Sequence, residues 1–499
     1  MSGSRTARWL TGAAVVSFAA FFSAVASAET LTADQAVQRA AAQNPSLRAA
    51  LLDVDAAALA VKAEENARVP TFIGGVSGEY NESIGSADRS DSEAIRGNAG
   101  VQFKTDIGTT IETGVQSDVV WRNLTGTVPS PSTNPTYSTS AYVKARQPLL
   151  RGGGSDVVLA PLAQAESSKT QTEKQQELEA SQTALDVLNA YWELWYADRA
   201  IDVQERSLGV AKKQVSDAKL KMDELGTGSK VDVLQFSSSL ASIQDSLAQA
   251  KTTRSTRAIA LGRLLGMSPD DSLDLETTEE LPALGAAPSS KELRKTLTAR
   301  SQELASLRAQ LDSADTRVLI ADDANQARID LYGSASVGAV WASGDSYSGF
   351  DMPGGRPAFA VMAGLEFEVP LGESSATSEA ARARTQRDAT KARYQARVEA
   401  IEAEVASLEV ELDAAQSQVD LASTTTDIAG ELAEAERARL ALGTTTSLAV
   451  VQAEQSLREA ELRRLRALAS QVITQFEIEH SAGALLDRYG SAFAKKRSS

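Results

Sequence analysis

Very few residues in this chain of 499 could do covalent chemistry: there is one histidine, His480, and no cysteine. Those two facts exclude a disulfide framework, a zinc cluster, a thiol nucleophile and a Ser-His-Asp constellation, each of which needs the missing residue types. No GxxxxGK[ST] loop is present to cradle a nucleotide's phosphates. Asp and Glu are abundant, but they lie on the polar faces of periodic segments, and no acid and nucleophile pair stands out among them. With 50 Lys and Arg against 66 Asp and Glu, the net charge is −16. Nucleic acid is therefore not an expected partner, since binding phosphates requires a clustered basic surface. The sequence indicates no cofactor and no metal, and it reads as a protein that is not an enzyme.

If the chain does no chemistry on a substrate, its function must lie in its elements and where they sit. Residues 1–28 carry Arg5 and Arg8, an apolar stretch from Ala13 to Phe22, and the small residues Ala26, Ser27 and Ala28. That pattern fits a secretory signal cut after Ala28. Nothing further along offers 18 consecutive apolar residues, so helical membrane spans are not expected. An exported protein that is either soluble or a membrane β-barrel remains.

Proline placement marks where long helices can form, because proline is disfavoured inside them. No proline occurs between Pro161 and Pro269, or after Pro370. In the first of these stretches Val187, Leu194, Ile201, Leu208, Val215 and Met222 are spaced as heptads, with Ala190, Ala197, Ala211 and Ala218 among the residues three further on. This is a coiled-coil seam whose small residues allow close approach. The second stretch repeats the plan with Val398, Val405, Leu412 and Val419, accompanied by Ile401, Leu408, Ala415 and Ala422. A rod from Pro161 to Leu225 is about 100 Å long at 1.5 Å per residue.

Outside these stretches the period changes to two. Phe359, Val361, Ala363, Leu365 and Phe367 alternate with Met362, Gly364, Glu366 and Glu368, and Val101 and Phe103 alternate with Gln102 and Lys104. Runs of about ten residues that alternate in this way suit strands crossing a bilayer, apolar towards lipid and polar towards a lumen. Residues 70–150 and 328–371 hold 12 of the 25 aromatics, as interfacial girdles require. In the first half four strands are expected, at about 71–80, 97–107, 109–121 and 139–147, with long polar loops at 81–96 and 122–137.

The chain is also duplicated. Leu225, Gly226, Thr227, Gly228 and Ser229, followed by Val233, Leu234 and Gln235, match Leu442, Gly443, Thr444, Thr445 and Thr446, followed by Val450, Val451 and Gln452. Glycine past a rod ends it, and a Ser or Thr begins the next helix. Gln147, Pro148, Leu149 and Leu150 correspond to Val369, Pro370 and Leu371, and Asn44, Pro45, Ser46 and Leu47 stand opposite Ser301, Gln302, Glu303 and Leu304. The expected organisation is a signal peptide (1–28), a first repeat (29–266) with a leading helix, strands 71–147 and a helical hairpin 161–266, and a linker (267–290). A second repeat (291–490) follows, with its own leading helix, strands 328–371 and a helical hairpin 376–483, and then a basic tail (491–499).

The duplicated turns "LGTGSKVDVLQ" and "LGTTTSLAVVQ", the junctions "QPLLRGGG" and "VPLGE", and the "NPSL" segment together resemble the TolC-like outer membrane efflux proteins. The resemblance spans essentially the whole mature chain and rests on the order and duplication of the motifs. It implies an α+β membrane protein: a homotrimer whose strands, four per chain, close one outer-membrane barrel that continues into a helical coiled-coil tunnel through the periplasm. Sharing strands also follows from physics, because a few strands cannot close a barrel alone and open edges are not tolerated in lipid. An additional hairpin at 97–121 either joins the barrel or decorates a twelve-stranded one, decoration being the preferred reading.

The resemblance further implies a function as the passive outer-membrane exit duct of a tripartite efflux pump or type I secretion system. Its partners would be a periplasmic adaptor, an inner-membrane RND, ABC or MFS pump, and outer-membrane lipid. Leu225, Gly226, Thr227 and Gly228, with Leu442, Gly443, Thr444 and Thr445, would form the periplasmic tip that contacts the adaptor. Ala449 and Gln452 stand at tunnel-entrance positions where family members with a developed acidic ring carry aspartate, and Thr445 stands where they carry arginine. Asp232 matches an acidic entrance position, and it equally fits a solvated helix-start carboxylate favoured by the macrodipole. A secreted coiled-coil scaffold or adhesin without a pore is the alternative function.

Overall fold

A computed structural model describes residues 29–84, 89–125, 135–224, 228–278, 299–342 and 358–494. The expected signal and its cleavage after Ala28 lie outside these residues. The described elements in chain order are β1 (Glu29–Leu31), α1 (Ala33–Gln43), α2 (Pro45–Asn66), β2 (Thr71–Ile84), β3 (Arg89–Lys104), β4 (Thr110–Thr125) and β5 (Thr136–Pro148). There follow α3 (Ser155–Val158), α4 (Ala160–Asp223), α5 (Lys230–Leu264), α6 (Pro269–Ser272) and β6 (Leu275–Thr277). The second half contains α7 (Gln302–Ala324), β7 (Arg328–Ala342), β8 (Ala358–Glu368), α8 (Ser375–Ala441), α9 (Ser447–Ser481) and α10 (Leu485–Ala494).

The proline-free stretches fold as the heptads require. Helix α4 runs 64 residues and α8 runs 67, so each is a rod of about 100 Å. Each long helix turns back into a 35-residue partner, α5 or α9. Beyond those partners lie the shorter helices α2 and α7, of 22 and 23 residues. Asn44 fastens the first such join. Its Oδ1 accepts from the amides of Ser46 and Leu47, capping α2, while its Nδ2 donates 3.0 Å to the Leu264 carbonyl at the end of α5. One side chain thereby satisfies orphan groups at two helix ends.

The main core lies midway along the rods, where Tyr191, Trp192, Leu194 and Trp195 of α4 pack with Val37, Leu261, Val472 and Leu485. The short parallel pair β1 and β6 borders it, and Tyr191 donates 3.0 Å to the Leu31 carbonyl. Part of the stretch expected as a linker is therefore structured, with α6 and β6 inside 267–290.

The remaining strands form one antiparallel sheet of order β2-β3-β4-β5-β7-β8. All six expected strands lie in it, two more than the four per chain that the resemblance implies. The hairpin at 97–121, for which decoration was the preferred reading, is instead an internal part of this sheet, since β3 and β4 lie between β2 and β5. The strands also outrun the alternation: β3 begins at Arg89 and β4 ends at Thr125, so much of the two expected loops is paired strand. Alternation marks only the part of a strand that meets lipid, whereas a hydrogen-bonded ladder continues into water wherever the pairing is satisfied.

The register sorts the side chains by face. Phe72, Val101, Thr113, Val143, Ala335 and Val361 form one row across all six strands, and Gly74, Ala99, Val115, Ala141, Val337 and Phe359 form the next. On the opposite face the row reads Thr71, Gln102, Glu112, Lys144, Ser334 and Met362. The apolar face is open in one chain, with Phe72, Val76, Phe359 and Phe367 all exposed. No described helix is long and apolar enough to cross a membrane.

Candidate functional site

The second turn is the better defined of the two. Leu442 is the C-cap of helix α8, Gly443 adopts φ 71°, the Thr444 amide donates 2.9 Å to Arg439 O, and the Gly443 amide donates 3.1 Å to Leu440 O. This is a Schellman cap, and the left-handed conformation is why glycine is needed there. The Thr445 hydroxyl donates 2.7 Å to Glu436, which also pairs with Arg439 at 2.6 Å. Those partners, Thr445 first, hold the Glu436 carboxyl below its usual range. Leu442 at the apex is 78% exposed.

In the first turn Leu225, Gly226 and Thr227 lie outside the described residues. Gly228 presses against the end of α4, its amide 3.0 Å from Lys221 O, and a Cβ there would meet Met222 N at 2.6 Å. Ser229 caps α5. The two turns lie together: Val215, Ala218, Phe236 and Val450 form one buried cluster from three helix ends. A groove of about 370 Å³ beside it is lined by Lys213, Asp217, Lys221, Asp232, Arg437 and Leu440 among others.

Asp232 is half-buried, and the Ser447 hydroxyl of the other hairpin donates to its Oδ1 at 2.5 Å while also touching the Gln235 amide. The carboxylate is thus held between the halves instead of lying free in solvent. Ala449 is half-buried and Gln452 exposed, and the two share the helix start that Thr446 caps. Sequence reading missed Ser447, Gln235, Glu436 and Arg439. Ser447 carried one signal, as a serine at a helix start opposite Lys230 in the duplicated turn, but its partner is 215 residues away.

The sheet's polar face forms the second part of the site. Arg146 Nη1 donates 2.8 Å to both Asp330 and Glu366, and Arg328 Nε donates 2.9 Å to the same Asp330 oxygen. Glu112 accepts from Tyr142 at 2.8 Å and Lys144 at 3.2 Å. Arg96 lies 2.6 Å from Glu79 and 3.9 Å from Asp118. Charged pairs of both signs along one face and hydrocarbon along the other are what a sheet needs when it separates an aqueous lumen from lipid. Among the described residues no cluster of His, Asp or Glu could hold a metal ion.

Residues 36–267 and 293–484 match the family described as Outer membrane efflux protein. The chain belongs to that family. Outer-membrane channels of known structure share this fold at low identity. The outer-membrane channel OprN superposes with a TM-score of 0.68 at 19% identity, over 91% of this chain and 90% of that one. CmeC from Campylobacter jejuni gives 0.68 at 14% identity, over 93% and 89%, and VceC from Vibrio cholerae gives 0.64 at 17%, over 90% and 96%. No curated protein matches the chain by sequence. As an outer membrane efflux protein, the chain is an exit duct of the outer membrane and not an enzyme. Nothing in the comparisons supports the scaffold or adhesin.

Proposed function

We propose that three copies of this chain close one barrel in the outer membrane and one helical tunnel in the periplasm, and that cargo crosses this duct without covalent change. The observation that carries the reading is the sheet with one apolar face and two unpaired edges, β2 and β8, joined to rods about 100 Å long whose turns lie at the far end. Edges in lipid must be paired, and a neighbouring copy supplies the partner. Helix α8 supports the same reading. Val410, Leu421, Ile428 and Leu432 are exposed along it, and their spacing places them within about 40° of one another around the helix. A stripe of that kind is covered by another subunit.

Leu442, Gly443, Thr444 and Thr445, with Gly228 and its neighbours, form the periplasmic tip that meets an adaptor, and Asp232 lines the entrance held by Ser447. The energy comes from an inner-membrane pump of the RND, ABC or MFS class. The test is Leu442→Glu in the full-length chain, an exposed position where folding is unaffected. Export should fall to background while trimers in the outer membrane stay at the wild-type level. Wild-type export would overturn the assignment of the tip.

A further inference from the structure

We propose that the hairpin β3-β4 is part of the barrel wall, so that three chains close eighteen strands instead of twelve and the outer-membrane exit is as wide as the helical tunnel beneath it. The inference rests on the duct reading above. Three observations carry it.

The first is order. β3 and β4 separate β2 from β5, paired along their lengths on both sides. A decorating hairpin would leave β2 and β5 to pair with each other. The second is the face pattern. Ala99 and Val115 fall in the apolar row, while Asn98, Gln102, Glu112 and Gln116 face the polar side with Lys144 and Arg146. A hairpin standing in water has no reason to keep one face for hydrocarbon. The third is its anchorage. Its tight turn at 105–109 abuts the start of the helical part: Gly154 donates 3.3 Å to Ile107 O, Gln147 Nε2 donates 3.4 Å to the same carbonyl, and Arg68 pairs with Asp106 at 3.1 Å. Gly108, at φ 91°, lies so close to Gly152 that a Cβ would meet its carbonyl oxygen at 2.7 Å. The turn therefore lies level with the junctions where the other strands become helices.

Girth agrees with this count. Strands about 4.8 Å apart and tilted about 40° give a circumference of about 110 Å for eighteen and about 75 Å for twelve. Four helical rods per chain make twelve in the trimer, and at about 10 Å each their ring measures about 120 Å. Eighteen strands come close to that ring.

The chain has no cysteine, which permits a direct test. Single substitutions Asn98→Cys, Gln102→Cys, Ala99→Cys and Val115→Cys are made in the full-length protein in outer membranes. A membrane-impermeant maleimide should label the first two, and only a lipid-soluble maleimide should reach the last two. Equal labelling of all four by the impermeant reagent would overturn the proposal. Electron cryo-microscopy of the purified wild-type trimer gives an independent count: eighteen strands sustain the proposal, and twelve refute it while leaving the duct intact. A chain that is absent from the outer membrane refutes the duct reading and the eighteen-stranded wall together.

Discussion

The two halves of the chain agree where they are helical and differ where they are strands. The long helices are 64 and 67 residues, their partners 35 each, and the shorter helices 22 and 23. The first half, however, gives four strands to the sheet and the second gives two. The physics of insertion explains the contrast. One extra residue in a helix rotates everything beyond it by about 100° and takes the seam off its partner. A hairpin pairs its own backbone groups and lengthens the sheet's perimeter without disturbing what lies below. Helical length is therefore tightly constrained in this fold, and strand number is not.

A second difference separates the two long helices. Helix α4 carries Tyr191 and Trp192 fully buried, with Trp192 edge-on to Tyr191 at 5.3 Å and Trp195 at 5.7 Å between ring centroids. Helix α8 packs mainly against α7 and α9 and exposes its apolar stripe. Replacing the buried aromatic should therefore harm the single chain, and replacing a stripe residue should harm only assembly. Trp192→Ala is expected to destabilise by about 3–5 kcal/mol, read as a large fall in the thermal unfolding midpoint in detergent and loss of folded chain from membranes. Leu421→Ala should leave the folded chain intact and weaken trimers, measured by the temperature at which they dissociate in gels. Equal damage from both would remove the distinction between a core helix and an interface helix.

Much of this was legible because it is local. Heptad spacing located α4 and α8, and the duplicated glycine and Ser or Thr pattern located both turns. The sheet was only partly legible. Alternation found the centres of all six strands but gave no sign that polar residues such as Ser92 and Glu93 would continue the ladder. Nor could it show that β3 and β4 insert between β2 and β5, because sheet order is set by pairing between segments distant in sequence. The clasp of Asp232 by Ser447 was hidden for the same reason. The charged pairs of the polar face were visible as composition, with Asp330 and Glu366 each set between apolar neighbours, but not as contacts.

The joins between stacked helices give a smaller and sharper test of the repeat. Asn44 caps α2 and also donates to Leu264 O, whereas its counterpart Ser301 caps α7 by accepting from Leu304 N at 3.3 Å. Losing a cap costs about 1 kcal/mol and losing a further hydrogen bond about 1 more. Asn44→Ala should therefore destabilise by about twice as much as Ser301→Ala in denaturant titrations. Equal effects would show that the link to α5 contributes nothing.

The smallest effect concerns the contact that joins the halves through the chain's single histidine. His480 of α9 lies 2.8 Å from the Ser181 hydroxyl of α4 through Nδ1. Burial, the largest influence, lowers its pKa, and Glu404, Asp186 and Glu303 oppose this. A histidine held neutral in the folded state takes up a proton more readily when unfolded. Its contribution to stability is therefore present above its ordinary pKa of about 6.5 and is lost as the pH falls through that value and the lower folded one. Glu477 and Glu479, whose pKa values burial raises, act with the opposite sign, but both are retained when only His480 is changed. The difference between wild type and His480→Asn thus isolates the imidazole. Unfolding midpoints measured from pH 7.5 to 5 should fall more steeply for the wild type than for the variant. Parallel curves would mean that His480 is protonated in the folded protein at no penalty, and that the two halves meet there through the Ser181 contact alone.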